Sequence, residues 1–225
     1  SYSTLTPVEG TLGPHRVQQR NMAPHHIPLD RQGRFFYVPC KGSDCVVAYR
    51  LDEKRCVLVE AARVTARPSA APRHIDFHPT KALAYVINEL DSTITSYRQE
   101  RRSGKLTPLQ TIPSTPSDFT GYGTGAEIWL DRAGRNVYVS NRGHDSIGVF
   151  AIDAATGTLS PKQWVPTKGR TPRFFAFDPA QKHLYVANQD GHSIVTYKVG
   201  RDGRLTPSPV RVKVGSPACI VFSRG

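Results

Sequence analysis

Phe36-Tyr37-Val38-Pro39-Cys40-Lys41, Ala84-Tyr85-Val86-Ile87-Asn88-Glu89, Val137-Tyr138-Val139-Ser140-Asn141-Arg142 and Leu184-Tyr185-Val186-Ala187-Asn188-Gln189 are four versions of one hexapeptide. Their tyrosines recur about every fifty residues, a period that marks a repeat architecture. The flanks repeat too. An apolar segment precedes each copy: His26-Ile27-Pro28-Leu29, His74-Ile75-Asp76-Phe77, Glu127-Ile128-Trp129-Leu130 and Phe174-Phe175-Ala176-Phe177. A polar turn separates that segment from the tyrosine strand. Downstream, a third strand is expected over 45–51, 93–98, 146–152 and 193–199. A fourth follows Gly104-Lys105-Leu106, Gly157-Thr158-Leu159 and Gly203-Arg204-Leu205, with a degenerate version near Val57 to Val64. Short strands rich in aromatic and β-branched residues, four to a repeat, predict an all-β propeller. No 3.6-residue apolar period points to helical repeats.

The expected blades cover residues 25–66, 73–113, 126–167 and 173–213, after an irregular segment over 1–24. Ser216 to Ser223 reads as a first strand with no second strand behind it, the orphan that closes a propeller ring. The polar start of the chain offers no strands to join it, so blades preceding Ser1 in a longer parent are expected. An open edge blade would favour self-association through unpaired strand backbone.

The 225 residues carry a net charge of +12, with 18 Gly and 18 Pro punctuating the strands. Lysine and arginine are scattered, and no nucleic-acid module is recognisable, so the charge points to a basic surface or an anion pocket. No apolar run approaches the ~20 residues needed to span a bilayer, and no membrane partner is expected. Cys40, Cys45, Cys56 and Cys219 lack CxxC spacing and read as reduced thiols of a cytoplasmic protein. No metal-ligand spacing, phosphate loop or dinucleotide fingerprint is present, so neither metal nor cofactor is expected.

Equivalent positions of successive blades converge on the central channel, so columns of the repeat are candidate sites. Twelve residues before each tyrosine stand His25, Arg73, Ala126 and Arg173; eleven before stand His26, His74, Glu127 and Phe174. Three after are Cys40, Asn88, Asn141 and Asn188, and four after are Lys41, Glu89, Arg142 and Gln189. First and second strands are antiparallel neighbours, so these columns emerge at one end of the blade. The last column changes chemistry from blade to blade, as residues with separate roles would. The Asn column also suits turn geometry. Arg73, Arg142 and Arg173 would suit capture of a carboxylate or phosphate, and His25 with Glu89 could share proton transfers.

These motifs resemble the seven-bladed lactonase propellers, a family that includes bacterial 6-phosphogluconolactonase and fungal 3-carboxy-cis,cis-muconate lactonizing enzyme. Carrying the resemblance are Ala71 to Pro79, Tyr85 to Leu90, Tyr138 to Gly143, Thr171-Pro172-Arg173, Val186 to Gln189 and Pro24-His25-His26. It implies a catalytic cleft at one end of the channel, with His25, Arg73, Glu89 and Arg142 as catalytic residues. His26, His74, Glu127, Asn141, Arg173 and Gln189 would contact substrate. The expected activity is hydrolysis of an anionic sugar lactone such as 6-phosphogluconolactone. Muconate cycloisomerisation and a non-catalytic propeller that binds an anion or a protein are the alternatives. Cys40-Lys41-Gly42-Ser43-Asp44 departs from the family's Asp-Leu-Gly-x-Asp by losing the first acid.

Overall fold

A computed structural model of the chain describes residues 22–222. Its strands form four antiparallel sheets, each following chain order from the inside out. The first sheet holds β1 (Phe36–Cys40), β2 (Cys45–Asp52) and β3 (Val57–Thr65). The second holds β4 (Pro72–Phe77), β5 (Leu83–Asn88), β6 (Thr93–Gln99) and β7 (Leu106–Pro113). The third comprises β8 (Thr124–Leu130), β9 (Asn136–Arg142), β10 (Ser146–Ile152) and β11 (Leu159–Pro166). The fourth comprises β12 (Pro172–Phe177), β13 (His183–Asn188), β14 (Ser193–Val199) and β15 (Leu205–Lys213). β4 contacts β1 and β8, and β8 contacts β12, so the first strands succeed one another about an axis. The molecule is a β-propeller.

The core lies between blades, which is why both faces of β5 are buried along its whole length. Phe35, Tyr37, Val46 and Ala48 of the first blade pack against Ile75, Phe77, Val86 and Leu106 of the second. The second and third blades meet through Tyr85, Ile87 and Ile94 against Ile128, Leu130 and Phe150. The third and fourth meet through Tyr138, Ile147 and Val149 against Phe175, Phe177 and Leu205. Each fully buried Val, Leu, Ile or Phe among them contributes about 1.5–3 kcal/mol. The tyrosine column adds a polar stitch across each seam: Tyr37, Tyr85 and Tyr138 donate to the carbonyls of Gly104, Gly157 and Gly203 at 2.8, 3.1 and 2.7 Å.

Two expectations need correction. The first blade has three strands instead of four. His26 to Leu29 forms only the isolated bridge Leu29↔Phe36, with a second bridge at Pro24↔Cys40. Pro28 accounts for this: it has no amide to donate to the ladder, although its carbonyl accepts from Tyr37 N at 2.9 Å. At the other end, residues 216–222 form no strand, since no neighbouring strand among the described residues can pair with them. They nevertheless keep the seam contacts of a first strand. The Phe222 ring lies 5.3 Å from Tyr185, as Phe77 lies 5.0 Å from Tyr37 and Phe177 lies 4.9 Å from Tyr138. Most of the irregular segment expected over 1–24 lies outside the described residues.

Candidate functional site

A repeated irregularity in the backbone builds the site. Where each first strand meets its second, the register shifts between Pro72 and His74, between Gly125 and Ile128, and between Pro172 and Phe174. Arg73, the Ala126-Glu127 pair and Arg173 are therefore skipped by the pairing and lie at bulges. A bulge re-aims side chains that strict alternation would send to opposite faces. Arg73 and His74, adjacent in sequence, thus reach the same cluster of charges. Ala71 and Thr171, at φ 55° and 58°, set up the bend just before Pro72 and Pro172.

Glu89 is the hub. Its Oε2 lies 2.7 Å from Lys41 Nζ and 3.0 Å from Arg73 Nε, and its Oε1 lies 3.2 Å from Arg142 Nη2. Burial works against the charge of the Glu89 carboxyl. The Lys41 hydrogen bond and the charges of Arg142, Lys41 and Arg73 win, and hold it below the usual carboxylate range. It is accordingly a poor proton acceptor near neutral pH; the proton-sharing role expected of it gives way to that of a clamp on three cations.

Arg73 also departs from expectation. Its side chain is only 2% exposed and donates to the Ala126 carbonyl, so it supplies charge from behind the surface. Burial and the charge of Arg142 lower its pKa to about 10. Cations nearer solvent are Lys41, at 26%, and Arg142, at 15%, the latter also donating to Gly125 O at 3.0 Å. Arg173 is half-buried and makes no ion pair among the described residues, although its charge is felt at Arg73 and His74. Gln189 is half-buried in the same blade, its backbone N–H donating to Thr171 O at 2.9 Å.

His25, ahead of β1, is partly buried and hydrogen-bonded through Nδ1 to His74 Nε2 at 3.0 Å. Burial, then Arg73, His74 and Lys41, push its pKa down to about 3, so it is neutral at physiological pH. His26 stacks on His74 with ring centroids 4.4 Å apart and accepts from Ile75 N at 3.3 Å. Glu127 lies deepest, its side chain 2% exposed and bonded to His74 Nδ1 at 2.7 Å. It cannot touch a substrate as placed.

Asn141 does not face the cleft either. It is fully buried and donates to Ser114 O and Ser146 Oγ. Asn88 bonds Thr93 and Thr95, and Asn188 bonds Thr167 O, so this column staples turns inside the blades. Lys41 is the site residue that the sequence reading left without a role. Its place in the column shared with Glu89 and Arg142 was the available signal.

A family model described as "Lactonase, 7-bladed beta-propeller" matches residues 2–222. The chain belongs to this lactonase propeller family. A 6-phosphogluconolactonase of Bacillus subtilis is 35% identical over 211 residues, covering 93% of this chain and 60% of its own length. One from Klebsiella pneumoniae is 31% identical over 222 residues, covering 98% and 64%. Among solved structures, a periplasmic gluconolactonase from Pseudomonas aeruginosa superposes with a TM-score of 0.86 at 28% identity, covering 94% of this chain and 63% of its own. The chain therefore spans under two thirds of the length of these relatives. No described helix is long and apolar enough to cross a membrane.

Proposed function

We propose that this chain carries the catalytic face of a lactone hydrolase acting on an anionic sugar lactone, 6-phosphogluconolactone being the first candidate. The observation that carries the reading is a partly buried histidine, His25, hydrogen-bonded to His74 at 3.0 Å and lying in the field of Arg73 and Lys41, which Glu89 ties to Arg142. The names of the Bacillus and Klebsiella relatives support the substrate class.

In this reading His25 takes a proton from water as the water oxygen bonds to the lactone carbonyl carbon. Negative charge gathers on the carbonyl oxygen, where Arg142 and Arg173 stabilise it. When the ring C–O bond breaks, the proton on His25 passes to the leaving ring oxygen. Water has been added across the ester and the histidine is neutral again. Lys41 and whichever guanidinium the oxyanion does not engage hold the substrate's anionic group, while Glu89 keeps the cations from springing apart. The four unpaired thiols support a cytosolic setting.

The test is turnover of 6-phosphogluconolactone followed by proton release. His25→Ala should lower kcat by about 10²–10⁴-fold in a folded protein. A folded His25→Ala protein that retains full activity would overturn the assignment.

A further inference from the structure

Behind His25 runs a chain of side chains that water activation by one imidazole does not require. His25 Nδ1 meets His74 Nε2 at 3.0 Å, and His74 Nδ1 meets Glu127 Oε1 at 2.7 Å. That same oxygen takes the Ile128 amide at 2.9 Å. A backbone N–H can only donate, so Oε1 is already an acceptor, and a carboxylate oxygen in that role takes a second N–H from His74. His74 then carries its proton on Nδ1 and presents a bare Nε2. Its neighbour must donate to that lone pair, which puts the proton of His25 on Nδ1 as well. The free lone pair of His25 is left on Nε2. His26, stacked on His74 and fastened to the Ile75 amide, keeps the middle ring from turning.

We propose that His74 and Glu127 are positioning residues that hold His25 in its Nδ1–H tautomer, so that Nε2 is the base. The proposal rests on the lactonase reading for its chemistry and on the two hydrogen bonds in series for its geometry. When Nε2 takes the proton of the attacking water, Nδ1–H stays where it is. The imidazolium charge is balanced through His74 by the Glu127 carboxylate, and no proton need leave the chain. An oriented imidazole backed by a buried acid is the logic by which hydrolases keep a histidine in the useful tautomer.

The electrostatic surroundings agree. Arg73 on β4, Arg142 on β9, Arg173 on β12 and Lys41 after β1 all face the two histidines, opposed there by Glu89 after β5 and by Glu127 on β8. Burial, then Arg73, Arg173 and Arg142, push the pKa of His74 to about 3 against the charge of Glu89, so it stays neutral with His25. Burial raises the Glu127 carboxyl to about 7, against the Ile128 hydrogen bond and the charges of His26 and Arg73. Glu127 is thus the member of the chain that titrates near neutrality, and the acid limb of kcat belongs to it.

The experiment has two arms. In the full protein labelled with ¹⁵N histidine, spectra at pH about 8 should show His25 and His74 protonated on Nδ1, the less common imidazole tautomer. Finding both on Nε2 overturns the proposal whether or not any lactone is turned over. In the second arm, Glu127→Gln should lower kcat about tenfold to a hundredfold, leave KM within about twofold, and remove the acid limb near pH 7. Unchanged kcat with the limb intact also overturns it. If the variant fails to fold, the wild-type spectra decide. Absence of lactone turnover by the wild-type protein sinks the functional reading and leaves the spectra to judge the tautomers.

Discussion

Glu89 pairs with three cations, one of them an arginine almost wholly removed from water. Glu89→Gln would leave Arg73 charged and buried without its counter-ion, a loss of about 3 kcal/mol at neutral pH. Because the folded state holds this carboxyl below its usual range, its contribution is complete above the unfolded value of about 4.3. It disappears as pH falls through the lower, folded value. The gap in stability between wild type and Glu89→Gln, measured by urea unfolding, should therefore close at acid pH. A gap that stayed constant down to pH about 2 would show that the charge does not stabilise the fold.

At the scale of the strand, what repeats in the sequence is what pairs and packs. The tyrosine and valine columns, the Gly-x-Leu turns and the Asp-led turns are local, and the third strands fall within a residue of where the pattern places them. The bulges were not legible. A skipped residue at Arg73, Glu127 or Arg173 leaves no trace in an apolar-polar alternation, and it decides which side chains share the site. So the columns locate the site but do not say that Arg73, Glu127 and Asn141 are buried. Pro28 is the one place where a visible residue should have argued against a strand. The seam stitch offers a matched test of what the repeat does energetically. Tyr138→Phe leaves the Gly203 carbonyl without its donor and should destabilise the protein by about 1–2 kcal/mol. Tyr185 has no such acceptor among the described residues, and Tyr185→Phe should change the unfolding midpoint little. Equal losses from the two substitutions would mean that the hydroxyl stitch contributes nothing beyond ring burial.

At the scale of the whole molecule, the proposed function implies that the net charge of +12 and the cluster of Lys41, Arg73, Arg142 and Arg173 would act on an anionic substrate before it arrives. Surface lysines and arginines spread over the blades give a diffuse positive field, and the cluster at one end of the blades sharpens it. That field reaches only as far as salt allows: about 30 Å at 0.01 M ionic strength but about 10 Å at 0.1 M. An anionic lactone should lose about tenfold in kcat/KM across that range, mostly through slower capture and a higher KM. A neutral lactone such as gluconolactone gains nothing from the field, so its kcat/KM should stay nearly constant over the same salt series. Within the pair, substituting Arg173 by Gln should flatten the salt dependence of the anionic substrate and leave the neutral one untouched. If both lactones respond to salt alike, the cations serve the fold of the site and not the recognition of an anion, and the preference for a phosphorylated substrate falls with them.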